Sequence, residues 1–582
     1  LRHPSIAGDK GGPSGHDRPD AAWNRERSNT MSDPKNGAHL LVRNLEAQGV
    51  EYIFGIPGAK IDPVFDALVD SKIKLVVCRH EQNATFIAGG MGRLTGKAGV
   101  VLVTSGPGVS NLATGLATAN TEGDPVVALG GAVPVADRLK QAHQSMDTVA
   151  LLRPITKYAA EIDSPSAISE ATAAAFRAAE SGRPGTAFLG LPKDVMKAPA
   201  PGAVLTPATV PAMGAASTEA ITAAAAMIEA AQRPVVLLGM LASQGPVAQA
   251  VRALLARTRL AVAGTYQAAG VVPRDRLDCF GGRVGLFHNQ PADRLLDEAD
   301  VVITVGFDPV EYDPALWNAG RKRKLIHIDC IPADYDQCYR PDVELMGNSA
   351  ATLHALSALL QPKDRPTQAA LLAEIQRERA TVAAESAKRT GAPVHPLRLV
   401  HELQKLIDED VTLCSDMGSF HIWMARHLIS HRPRQILISN GQQTLGVALP
   451  WGIAACLAEP GRKVLSVSGD GGFLFSAVEL ETAVRLKCNF VHLVWIDGSY
   501  DMVGIQQVAA YGRDSGVHFG PVDLVKFAES MGAQGLMIKH ADDVGPTLRK
   551  AMAMEGPVLV GVHVDYRDNP GLIAAMHEDV II

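Results

Sequence analysis

From about residue 37 the chain alternates two kinds of apolar pattern. Stretches such as HLLVRNLEAQGV (39–50), ATFIAGGMGRLTG (84–96) and SNLATGLATAN (110–120) space their apolar residues by three and four, as a helix with one buried face does. Between them lie short continuous runs, YIFGIPG (52–58), KLVVCRHE (74–81), AGVVLVTSGPG (98–108) and PVVALGG (125–131), each ending in Gly, Pro or charge. Such runs suit strands buried on both faces, and their alternation with helices predicts a parallel sheet covered on both sides. GTAFLGLP (185–192) is expected to close this first unit.

The rhythm returns twice. A Pro- and Ala-rich stretch at 198–217 reads as a linker, after which ITAAAAMIEAA, PVVLLG, ADVVITVGF and KLIHIDC form a second β/α series. A charged helix follows, and then HPLRLVHELQKLI, VTLCSDMG, ALPWGIAACLA, KVLSVSGDGG, FVHLVWID and PVLVGVHV make a third. The expected fold class is α/β, three doubly wound parallel-sheet domains in series. The expected divisions are a leader (1–34), a first domain (35–197), a linker (198–217), a central domain (218–370), a linker helix (371–392), a third domain (393–570) and a tail (571–582). The leader is polar, rich in Gly and Pro and without periodicity, so it is set aside as disordered or foreign to the fold.

Composition narrows the function. A length of 582 residues, 47% hydrophobic and 20% charged, supplies several cores of ordinary soluble type. The net charge of −6 gives no basic excess, and the densest basic run, GRKRK (320–324), leads straight into a strand-like segment, so nucleic acid is not an expected partner. No apolar stretch reaches the roughly 20 residues of a membrane span, and no signal-peptide core opens the chain. The seven cysteines are scattered and never spaced as CxxC, which fits free thiols in a reducing compartment, and the expected location is the cytoplasm.

Two apolar runs in the third unit break on Asp-Gly, at Asp470 and Asp497. Strand, Gly-rich turn, helix beginning near Phe473 and second strand make a βαβ unit, which puts both aspartates at the carboxyl ends of neighbouring strands, the ligand-binding edge of such sheets. Gly469, Gly471 and Gly472 allow close backbone approach, and a helix N-terminus favours an anion such as phosphate. Two carboxylates repel a bare phosphate, whereas a divalent cation such as Mg²⁺ accepts oxygens from both. The stretch therefore reads as a site for a metal-bridged diphosphate. In the first unit, Glu81 follows Arg79-His80 at the start of a helix, where burial would raise a carboxyl pKa.

This Gly-Asp-Gly, with its second strand-end acid, resembles the diphosphate motif of thiamine-diphosphate-dependent enzymes, and RHE (79–81), TSGPGVSN (104–111) and FGIPG (54–58) are similar to that family's pyrimidine-binding segments. The resemblance implies thiamine diphosphate and Mg²⁺ as cofactors, with Asp470, Asp497 and the Ser499 carbonyl on the metal. Family members commonly carry Asn and Gly at those last two positions. It implies that Glu81 bonds the pyrimidine ring nitrogen and promotes its imino tautomer. It places Met417, Gly418, Gln442, Gln443, Gly471 and Gly472 along the cofactor, Leu445 as the apolar pedestal beneath it, and Tyr500 and Met502 just behind.

Longer strings, among them GIPGAKID, HQSMDTVA, SDMGSFHIWMAR and SNGQQTLGVALPW, resemble the branch of this family that condenses two pyruvate molecules into acetolactate. That resemblance implies pyruvate as the partner molecule, with Lys60, Gln144 and Gln506 near it. It also implies a homodimer or homotetramer with active sites between subunits and no regulatory subunit. The anabolic acetohydroxyacid synthases typically carry RFDDR and a Trp after GMVxQ; here VGFDPVEYDP (305–314) and Gln506 stand instead, so FAD is not expected. A pyruvate oxidase, an anabolic synthase and a non-catalytic paralogue are the alternatives. His80 and His143 receive no assigned role.

Overall fold

A computed structural model describes residues 35–573 apart from 201, 208–212 and 364. The expected leader and most of the expected tail lie outside the described residues. Three six-stranded sheets succeed one another, with every strand pairing parallel. The first contains β1 (Tyr52–Gly55), β2 (Lys74–Val77), β3 (Gly99–Val103), β4 (Val126–Ala132), β5 (Tyr158–Glu161) and β6 (Thr186–Pro192), in the order β2-β1-β3-β4-β6-β5. The second contains β7 (Pro234–Leu238), β8 (Ala261–Thr265), β9 (Phe280–Val284), β10 (Val301–Val305), β11 (Lys324–Asp329) and β12 (Val343–Met346), in the order β12-β11-β10-β7-β8-β9. The third contains β13 (Val411–Ser415), β14 (Ile436–Ile438), β15 (Lys463–Gly469), β16 (Phe490–Ile496), β17 (Gln534–Ile538) and β18 (Val558–His563), in the order β14-β13-β15-β16-β18-β17. The α/β class and the three parallel sheets are those the hydrophobic pattern implies.

GTAFLGLP is the last strand of the first sheet along the chain, as expected; it sits inside that sheet, one edge of which is β5, all four of whose residues are only half-buried. One local expectation needs correction. The helix expected near Phe473 is a single turn, Asp470–Phe473, which breaks and resumes at Glu479–Arg485. The break turns Phe475 onto Gly446, where an added Cβ would lie 2.6 Å from the Phe475 Cβ. Among the described residues no helix is long and apolar enough to cross a membrane. All seven cysteines are free, four of them buried.

The first and third sheets share one core. Helix Glu81–Thr95 packs on helix Ala448–Ala458, with Gly90 against Trp451 and Ala454 and the Arg93 guanidinium 4.5 Å from the Trp451 ring centre. Phe54, Val101, Ala454 and Phe490 belong to the same apolar cluster. The charged helix, Pro366–Lys388, lies along the central sheet, burying Leu372 and Ile375 there while Arg294 pairs with Glu374 and Glu378. Arg283 crosses from the central sheet to the Ala425 and Leu428 carbonyls.

Glu311 makes a second crossing, its carbonyl accepting from Asn440 Nδ2 at 2.8 Å. Its carboxyl accepts from Thr265 Oγ1 at 2.6 Å and the Met240 amide at 2.9 Å, and burial pushes its pKa up to about 8. Because the folded state keeps this proton after the unfolded chain has lost it near pH 4.3, the group's contribution to stability falls as pH rises between those values, by up to about 1.4 kcal/mol per unit. Glu311→Gln is therefore expected to flatten the decline in urea midpoint between pH 5 and 8. Parallel declines in variant and wild type would contradict the assignment.

Candidate functional site

The site is built on adjacent strands β15 and β16, whose register pairs Gly469 with Trp495. Asp470 and Asp497, each the residue after its strand, therefore emerge at the same carboxyl edge. Asp470 accepts from the Gly471 amide at 3.1 Å and the Gly498 amide at 2.9 Å, and Asp497 from Ser499 Oγ at 2.5 Å. Burial raises the pKa of Asp470, and burial, reinforced by the charge of Asp470, pushes Asp497 up to about 7. Two carboxylates that strain against ionisation, with a carbonyl-bearing turn between them, suit a hard divalent cation. Among the described residues no group of three or more His, Cys, Asp and Glu side chains could hold a metal, so two carboxylates need other oxygens to complete a coordination shell.

Beside them opens a cavity of about 220 Å³. Of the residues expected near the cofactor, Met417, Gly418, Gln443, Leu445, Gly471, Gly472, Tyr500 and Met502 line it, as do Asp497, Ser499 and Gln506. Gln442 is exposed outside it, with Nε2 on Thr121 Oγ1, and Asp470 faces a smaller neighbouring recess of about 20 Å³. Gly471 has to be glycine, since a Cβ there would lie 2.7 Å from the Tyr500 ring.

A third strand-end aspartate, Asp416, follows β13 and organises these pieces. It accepts from the Met417 amide and, through both carboxylate oxygens, from the Gly446 amide, each at 2.9 Å. A Cβ on Gly472 would stand 2.9 Å from it. Burial pushes its pKa up to about 7. Sequence reasoning passed over it, although an acid directly after a predicted strand is the same signal that marked Asp470.

Glu81, Lys60 and Gln144 lie on the first sheet's carboxyl edge and do not line the cavity. Glu81 opens helix Glu81–Thr95 and accepts from Asn111 Nδ2 at 3.0 Å. The Arg79 and His80 amides before it are both held by Glu479 Oε1, at 2.9 and 3.1 Å. Gln144 accepts from Ser105 Oγ at 3.0 Å and has φ 62°, a left-handed conformation that side chains seldom adopt. Half-buried Lys60 lies against Gly131, and His80 and His143 are exposed.

Sequence comparison gives this geometry its context. The N-terminal, central and C-terminal domains of thiamine pyrophosphate enzymes match residues 35–151, 221–356 and 416–562, the first and last described as thiamine-pyrophosphate-binding. The chain thus belongs to the thiamine pyrophosphate enzymes, and within them to the acetolactate synthases. It is 52% identical to the catabolic acetolactate synthase of Raoultella terrigena over 94% of this chain and 98% of the relative. It is 51% identical to the acetolactate synthase of Bacillus subtilis, covering 92% and 94% respectively. Identity to the large subunit of acetolactate synthase isozyme 1 of Escherichia coli is 32%, over 92% and 96%.

At pH 8 and without metal, removing one of the two strand-end charges relieves both its desolvation and its repulsion. Asp497→Asn is expected to raise the thermal midpoint in EDTA by about 2 °C, with the gain shrinking towards pH 5 as the wild-type carboxyl becomes protonated. No change at pH 8 would contradict this charge balance.

Proposed function

We propose that the chain converts two pyruvates and a proton into 2-acetolactate and CO2, using thiamine diphosphate and Mg²⁺ and no FAD. The observation that carries the reading is the pairing of strand-end carboxylates with the Gly-lined cavity, in a chain half-identical over nearly its whole length to a catabolic acetolactate synthase. Asp470, Asp497 and the Ser499 carbonyl would hold the Mg²⁺ that anchors the diphosphate, while Leu445 supports the cofactor from below. When bound, thiamine diphosphate supplies a thiazolium that accepts the electron pair left by departing CO2. Glu81 holds the proton relay at the pyrimidine nitrogen. Lys60 and Gln144 draw the pyruvate carboxylate, and apolar Met502 beside Gln506 keeps water from competing with the second pyruvate.

The expectation of no FAD is supported by the central domain's sequence, which reads VGFDPVEYDP at 305–314 where the anabolic synthases typically carry RFDDR. A second subunit is supported by the place of Glu81 on a different sheet from the cavity, and by apolar side chains left exposed nearby: Leu474 at 47%, Phe475 at 49% and Tyr511 at 68%. We read the protein as a cytoplasmic homodimer or homotetramer without a regulatory subunit.

Purified protein supplied with pyruvate, Mg²⁺ and thiamine diphosphate is expected to yield acetolactate, assayed as acetoin after acid treatment. Glu81→Gln should reduce the rate at least about 100-fold, the usual scale of lost proton-transfer catalysis. No product from the wild type, or full activity in the variant, would overturn the reading, and a yellow flavoprotein would favour an oxidase.

A further inference from the structure

The loop Ser439–Gly446, which carries Gln443 and Leu445 to the cavity, is not held by its own sheet alone. It follows β14, the three-residue edge strand, and contains two left-handed residues, Gln443 at φ 48° and Gly446 at φ 87°. A loop of this shape costs conformational energy at Gln443 and needs outside constraint to persist. Asp416 constrains its far end. At its near end the constraint comes from Glu122, in the first domain.

We propose that Glu122 is a positioning residue for the cofactor, acting through the backbone of this loop and resting on the reading of the site given above. One carboxylate oxygen of Glu122, Oε1, accepts from the Asn440 and Gly441 amides, both at 2.9 Å, and from Ser439 Oγ at 3.3 Å. The other, Oε2, accepts from Arg93 Nη2 at 3.0 Å and from Gln267 Nε2 of the central domain. Its side chain is completely buried, with both carboxylate oxygens engaged by these donors. The surrounding helix reinforces the contact: Thr118 and Thr444 share a hydrogen bond of 2.7 Å, and Thr121 closes on Gly441 so tightly that a Cβ there would lie 2.2 Å from the Thr121 methyl. All three domains thus meet on one carboxylate whose amide partners lead into the cavity wall.

Asp124 supplies the control, because it shares Arg93, at 2.8 Å, but no hydrogen bond joins it to the loop. Glu122→Gln keeps the shape but turns an amide N–H₂ towards one of its two sets of donors. Titration of thiamine diphosphate at fixed Mg²⁺, followed by quenching of tryptophan fluorescence, is expected to show half-saturation raised about tenfold or more in Glu122→Gln. In Asp124→Asn the thermal midpoint should fall while half-saturation stays within about twofold of wild type. Wild-type affinity in Glu122→Gln, or weakening in both variants in proportion to their lost thermal stability, would overturn the proposal. A wild-type chain that does not bind thiamine diphosphate would overturn the underlying reading as well.

Discussion

Everything at this site answers to the cost of keeping carboxylates ionised in a partly buried place. Asp470 and Asp497 end adjacent strands, where burial raises both pKa values and the charge of Asp470 adds to the rise at Asp497. Amides of Gly471 and Gly498 and the Ser499 hydroxyl offset only part of that cost. A divalent cation would offset the rest, and a diphosphate would complete its shell. The parallel register of β15 and β16, the glycines that admit backbone and ligand, and the aspartate behind them all serve to bring these two groups to one edge.

A second constraint is distribution. The cavity is walled by the third sheet, whereas the helix that starts at Glu81 belongs to the first. That helix also packs on the third domain of its own chain through Gly90 and Arg93, and its N-terminal approach is clamped by Glu479. Next to the Gly-Asp-Gly turn, Leu474 and Phe475 remain exposed.

The sequence made the three sheets readable wherever strands are doubly buried, as in VVALGGA and VHLVWI, since such strands are continuous apolar runs. It was less informative at edges. β5 and β17 present half-buried residues, and β14 is only three residues long, so their patterns merge with loops. The diphosphate half of the site was legible because Asp-Gly after a strand is a local signal. Asp416 carried the same local signal without a distinguishing glycine pair. Glu122 carried none, since its meaning lies in amides more than three hundred residues further along the chain, and only tertiary structure joins them.

The proposed chemistry requires the strand-end aspartates to hold a metal that in turn holds a diphosphate. Isothermal titration of metal-stripped protein with thiamine diphosphate, with and without Mg²⁺, tests this directly. Binding should be strong with Mg²⁺, at least about a hundredfold weaker in EDTA, and insensitive to Mg²⁺ in Asp470→Asn. Equal affinity with and without the metal in the wild type would contradict it.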